Sequence, residues 1–173
     1  TLGIITEVTL KLYPLPEAVS AAICHFGSIA GAVNATIQII QMGVPIARCE
    51  LLDVNAVRAV NAQSKLGLSE SPMLLMEFHG SAASVKEQAE TVQAICAEMG
   101  GEDFEWASTP EERTRLWTAR HKAYFAGMQT NPGCRTVTTD TCVPISRLAE
   151  IIDAPRAEAM GLAGETGDLR PGK

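Results

Sequence analysis

Between residues 21 and 108 the sequence alternates short apolar runs with longer stretches of helical period, and that order leaves few folds open. Residues 21–26, AAICHF, read as a strand. Ser28 then caps a helix whose Ile29, Val33, Ile37 and Ile40 fall on one stripe and which ends at Gly43. Residues 46–53, IARCELLD, read as a second strand, followed by a short helix from Val54 to about Lys65 that Gly67 ends. The strand MLLMEFHG follows at 73–80. Ser84 and Glu87 have the spacing of a capping box, opening a long helix with Val85, Ala89, Val92, Cys96 and Met99 inward and Gly100-Gly101 at its close. Residues 102–108, EDFEWAS, make a fourth strand. Two βαβ halves joined by a linking helix predict an α+β chain of ferredoxin-like plan, an antiparallel sheet with its helices on one face.

The strands also predict what the other face carries. Arg48 and Glu50 alternate onto the side of Leu52, and Glu77 and His79 onto the side of Leu75, opposite Leu74, Met76 and Phe78. A polar face of this kind is either solvated or the floor on which a partner domain or ligand lies.

The flanks read differently. Val8, Leu10 and Leu12 alternate with Thr9, Lys11 and Tyr13, the period of a half-buried strand, and Pro14 and Pro16 stop it. A strand in that place, with a proline break after it, predicts the last strand of a preceding domain. On the other side of the sheet region, Thr109-Pro110-Glu111-Glu112 supplies a cap, a proline at the first helical position and carboxylates in the first turn, and predicts a helix to about Ala126. A strand at 135–144, a helix near Ser146 and a Gly-rich, aperiodic tail complete the chain.

Composition excludes several partners. With 14 basic against 20 acidic residues and no Lys/Arg stripe, nucleic acid is not expected. No run approaches the roughly 18 apolar residues of a spanning helix, so no transmembrane segment is expected either. Cys24, Cys49, Cys96, Cys134 and Cys142 form an odd set without a C-x-x-C pair; mostly within apolar runs, they read as reduced core or near-core thiols of a reducing compartment.

The helix after Thr109 carries the candidate chemistry. Leu116, Ala119, Ala123 and Ala126 form a small apolar face suited to packing, while Arg113, Trp117, Arg120 and Tyr124 recur on the other side. A guanidinium between two aromatics is partly desolvated and offers a planar fork for a carboxylate. The alternative is an arginine stacked on Trp117 as surface cladding. His25 and His79 lie in strand-like runs whose spacing specifies no metal site, and both read as structural.

At this point local runs resemble a known family. Residues 1–12, TLGIITEVTLKL, resemble the closing segment of the FAD-binding domain in vanillyl-alcohol-oxidase-type flavoproteins. Glu50-Leu51-Leu52-Asp53, Glu77-Phe78-His79-Gly80, Leu116-Trp117-Thr118-Ala119-Arg120-His121 and Thr138-Thr139-Asp140-Thr141-Cys142-Val143-Pro144 resemble the C-terminal domain of the FAD-linked oxidases, within it the cytochrome-linked D-lactate dehydrogenase and glycolate oxidase type. The resemblance covers residues 1 to about 162. It implies a remnant of an FAD-binding domain at 1–16, a truncated substrate or cap domain at 17–162, and a divergent or disordered tail at 163–173.

The resemblance implies that the backbone of Thr1, Leu2, Gly3, Ile4 and Ile5 lies against FAD, where a residue without Cβ permits close approach, and that Arg120 clamps the substrate carboxylate. In relatives acting on 2-hydroxy diacids a lysine stands where this chain has Thr138, so a small monocarboxylate such as D-lactate or glycolate is implied. A divalent metal, Zn or Mn, belongs to the family, but its His-x-Gly-Asp-Gly-Asn-x-His motif and the downstream base histidine are absent from this chain, and Gly167-Asp168 is at most a fragment of that loop. No catalytic residue is therefore assigned. Implied electron acceptors are a cytochrome, a quinone or an electron-transfer flavoprotein. The implied location is the cytoplasm of a bacterium, free or peripheral to the inner membrane, or the mitochondrion of a eukaryote. The expectation is part of an FAD-dependent 2-hydroxy-acid dehydrogenase, inactive alone; the alternative is a ferredoxin-like small-molecule-binding or regulatory domain without catalysis.

Overall fold

The structure, a computed structural model, describes residues 3–107, 109–130, 133, 142–148, 150 and 152, without the side chain of Ala119. Four strands form one sheet in the order β2-β3-β1-β4, where β1 is Ala18–Phe26, β2 Arg48–Leu52, β3 Met73–Gly80 and β4 Gly101–Ala107. Every neighbouring pair is antiparallel. The helices between them are α1 (Ile29–Gln41), α2 (Val54–Ser64) and α3 (Ala82–Glu98); α4 (Pro110–Thr130) follows the sheet. This is the expected α+β, ferredoxin-like antiparallel plan: β1-α1-β2 and β3-α3-β4 interleave, so that the two strands of each half are separated by a strand of the other.

The register explains which face each helix covers. Ala22, Cys24, Phe26, Leu74, Met76 and Phe78 point to one side and close a core with Ala32, Ala35 and Ile39 of α1 and Val85, Ala89, Val92, Ile95 and Cys96 of α3. Fully burying a large side chain such as Phe26 or Phe78 contributes on the order of 1.5–3 kcal/mol. Two close approaches require glycine. A Cβ on Gly31 would meet the Met99 carbonyl oxygen at 2.7 Å, and one on Gly101 would meet Cys24 Sγ and the Cys96 carbonyl oxygen at 2.7 Å each.

The opposite face is not left open. Ile23, Met73, Leu75 and Leu52 form a second cluster with Val57 and Val60 of α2 and Trp117 of α4. The main helices α1 and α3 lie on one face as expected, while α2 and α4 roof the apolar end of the other. Only its polar end, with Arg48, Glu77 and His79, retains the character expected of the whole face.

Several boundaries differ from expectation, each for a local reason. Residues 3–16 form no strand, because no described strand pairs with them; Val8, Leu10 and Leu12 are exposed. The α1 stripe is Ala32, Val33, Ala35 and Ile39, and Ile40 faces solvent, since the small residues allow α1 to sit close to the sheet. Ser28 caps it as expected, its Oγ accepting from Gly31 N–H at 3.1 Å. The cap of α3 is Ser81, whose Oγ accepts from Ser84 N–H at 3.2 Å, so the expected Ser84 box lies one turn inside the helix. Lys65 in the left-handed region ends α2, ahead of Gly67. Near the β4 end of the sheet the register slips by one residue opposite Ile23–His25, with Asp103 at φ 51° in the extra position. Residues 142–144 are not strand, residues 135–141 lie outside the described residues, and the helix expected near Ser146 opens as a 3-10 turn over Ile145–Arg147, with Leu148, Glu150 and Ile152 helical after it.

Candidate functional site

The site is built on α4 and the polar end of β2 and β3. Thr109 Oγ1 accepts from Glu112 N–H at 3.3 Å while Glu112 Oε2 accepts from Thr109 N–H at 3.4 Å, a reciprocal cap that fixes where α4 begins. Trp117, only 7% exposed, then wedges into the second core cluster and sets the rotation of the helix about its axis. Trp117 is therefore a packing residue and not part of an outward aromatic pair; Tyr124 stands exposed.

That rotation brings the α4 side chains over a line of charge on the sheet. Arg120 Nε donates to Glu50 Oε2, with both side chains about a third exposed. Arg48 lies 4.9 Å above the Trp117 ring, so the guanidinium that stacks on Trp117 is Arg48 and not Arg120. Arg48 Nε also reaches Glu77 Oε1 at 3.6 Å. His79 Nε2 is 2.7 Å from the same Glu77 oxygen. Glu77 is buried, and its two partners are the means by which its charge is tolerated there. A cavity of about 300 Å³ opens beside this group, lined by Arg48, Glu77, Arg113, Trp117, His121 and neighbouring α4 residues.

Arg120 itself does not line that cavity. Its stem covers a narrow apolar cleft made by Leu52, Val60, Leu66 and Leu116. Among the described residues its guanidinium is engaged only through Nε, so the edge formed by the two Nη groups is unoccupied. A larger cavity of about 590 Å³ between α2 and α4, lined by Asn55, Arg58, Gln63 and Gln129, holds no comparable charge cluster; Arg58 is paired with Glu70 at 2.8 Å.

The other expected site residues are not brought to α4. Gly3, Ile4 and Ile5 are exposed, and a Cβ on Gly3 would meet nothing. Thr1 and Leu2 lie outside the described residues, as do Thr138, Asp140, Gly167 and Asp168. His25 is buried, its Nδ1 3.1 Å from Ser71 Oγ, and burial lowers its pKa. Among the described residues no three His, Cys, Asp or Glu side chains come together to hold a metal ion. Sequence reasoning missed Glu50 as the partner of Arg120 and Arg48 as the partner of Trp117. The only signal was the shared parity of Arg48, Glu50 and Leu52 along β2.

Comparison with known proteins shows the family of the chain. The model of the FAD linked oxidases, C-terminal domain, matches residues 15–163. The chain belongs to that family. It is 47% identical over 174 residues to the probable D-lactate dehydrogenase, mitochondrial, of Danio rerio, covering 97% of this chain and 35% of that protein. It is 39% identical to the mitochondrial D-lactate dehydrogenase [cytochrome] of Arabidopsis thaliana, over 91% of this chain and 28% of the relative. The glycolate oxidase subunit GlcD of Bacillus subtilis is 31% identical over 89% of this chain and 33% of its own length. The chain thus spans about a third of the length of these relatives. A solved alkyldihydroxyacetonephosphate synthase superposes with a TM-score of 0.61 at 16% identity, over 86% of this chain and 32% of that one, which shows the shared fold. No described helix is long and apolar enough to cross a membrane.

Proposed function

We propose that this chain is the substrate-side domain of an FAD-dependent dehydrogenase that oxidises a small D-2-hydroxy acid, of the D-lactate or glycolate kind, to the 2-oxo acid. The observation that carries this reading is the state of Arg120: Glu50 takes its Nε, and the planar edge of two Nη groups is left for a second carboxylate. Glu50 is thus a positioning residue. It limits the rotamers of a long side chain before substrate arrives, and less entropy is lost on binding. The substrate carboxylate would accept two parallel N–H bonds on that edge.

FAD, when bound, supplies the hydride acceptor at the substrate C2. The exposed stretch Gly3, Ile4 and Ile5 suits a close contact with it, since no side chain among the described residues crowds Gly3; Thr1 and Leu2 precede it in sequence. A second wall for the flavin must come from elsewhere. Among the described residues no group of side chains fits a Zn or Mn ion. Electrons would pass on to a cytochrome, a quinone or an electron-transfer flavoprotein. The buried free thiols Cys24 and Cys96 suit a reducing compartment, such as a bacterial cytoplasm or a mitochondrial matrix.

The test has two arms. The purified chain, mixed with FAD, D-lactate and a dye acceptor, gives no turnover above the free-flavin blank. When the chain replaces the matching segment of the Danio rerio relative, the chimera reduces the dye with D-lactate, and Arg120→Met lowers kcat/KM by on the order of 100-fold or more, the loss of two charge-assisted bonds. An Arg120→Met chimera as active as its parent would refute the assignment.

A further inference from the structure

We propose that the cavity between the first turns of α4 and the polar end of the sheet is a binding site for a small oxyanion, a carboxylate or a phosphate, held by Arg113 and Arg48. Two guanidinium groups line it against one carboxylate, Glu77. That carboxylate is already taken by His79 at 2.7 Å and by Arg48 at 3.6 Å. Arg113 forms no ion pair among the described residues, and its Nε is a buried donor without an acceptor. Trp117 Nε1, on a side chain more than nine-tenths buried, is a second such donor in the same wall. Neither atom has accessible surface, so water does not supply what they lack, and an anion reaches them once the Arg113 or Trp117 side chain shifts toward the cavity.

Two unsatisfied donors and an excess of positive charge around one cavity call for an acceptor that brings negative charge and several lone pairs. The positive end of the α4 dipole adds in the same sense, because Pro110 and Thr114 also line the cavity. Neither acidic residue of that turn, Glu111 or Glu112, lines the cavity. Glu112 lines a different cleft, with Glu105, Trp106 and Arg115. At about 300 Å³ the space suits an anion of a few carbon atoms.

This site is separate from Arg120. Arg113 and Arg120 stand seven residues apart on α4, about 10 Å along the axis, and Arg120 lies over another cleft. The inference therefore stands whether or not the flavin reading is correct.

The chain contains two tryptophans, so Trp106→Phe leaves Trp117 as the sole fluorophore, in the wall of the cavity. Sodium phosphate and sodium succinate are titrated into this variant against sodium chloride at matched ionic strength. The expected result is a saturable change in Trp117 emission with at least one oxyanion and not with chloride; which of the two binds tighter identifies the source. In the unmodified chain the indole N–H resonance that Trp106→Phe leaves in place moves with the same midpoint. Arg113→Gln weakens the midpoint about tenfold, and Arg113→Lys, which keeps the charge without the fork, serves if the glutamine variant does not fold. Arg120→Gln leaves the midpoint where it was. A response equal to that of chloride, no response to either oxyanion, or a loss on Arg120→Gln without one at Arg113 overturns the proposal.

Discussion

Removing the buried carboxylate Glu77 should cost less than removing the partners around it. The side chain of Glu77 is 8% exposed, whereas those of Arg48 and His79 are 49% and 38% exposed. In Glu77→Leu the two partners turn to water, and a leucine of similar volume sits opposite Arg48 and Ala21 in the ladder. The desolvation cost of the carboxylate disappears together with its two contacts, and the net change is expected within about 1 kcal/mol of zero. The double variant Arg48→Met/His79→Leu leaves Glu77 buried with neither contact, and also loses the stack on Trp117. An uncompensated buried charge costs about 3–5 kcal/mol. Urea unfolding followed by far-ultraviolet circular dichroism separates the two cases. With m near 2 kcal/mol/M, the double variant unfolds at a urea concentration lower by about 1.5–2.5 M, and Glu77→Leu within about 0.5 M of the parent. If Glu77→Leu falls as far as the double variant, the carboxylate is a net stabiliser and the reasoning fails.

Gly101→Ala puts a methyl group against the Cys96 carbonyl, which already accepts from Met99 N–H at 3.1 Å and cannot retreat without disturbing the end of α3; a loss of about 1–3 kcal/mol is expected in the same urea assay, with Gly27→Ala, which meets nothing within 4 Å, as the control. The depressed pKa of buried His25 means that the unfolded chain binds its proton first as pH falls. Its contribution is present above about 6.5, the unfolded value, and is lost as pH drops through the lower folded value. Thermal melts between pH 7.5 and 5 should show a loss of stability that His25→Gln flattens, and an unchanged slope in that variant would count against this role.

The strands and the first core were legible because Leu74, Met76 and Phe78 alternate strictly against Glu77 and His79, and α3 repeats Val85, Ala89, Val92 and Cys96 at helical spacing. Periodicity shows which side of a helix is apolar but not which side of a sheet receives it. That is why the position of α2, whose buried residues are only Val57 and Val60, could not be read. The pairing of Arg120 with Glu50 depends on how α4 rotates, and Trp117 sets that rotation through contacts with Ile23, Leu52 and Leu75 that are distant in sequence. The spacing of Arg113, Trp117, Arg120 and Tyr124 gave the stripe; only packing separated its buried member from its exposed ones. Capping at Ser81 was missed for a simpler reason: Ser81 and Ser84 are both serines, and the better box motif belongs to the one already inside the helix.

The slipped register at Asp103 bears on how this domain keeps apart from its own copies. Among the described residues β4 is an outer strand, and an outer strand with a regular backbone invites another chain to add to it. Here an extra residue in a left-handed conformation breaks the repeat of free N–H and C=O groups, and Glu102, Asp103 and Glu105 bring like charge to any copy that approaches. Edge-to-edge polymerisation through β4 is thereby opposed by both geometry and repulsion.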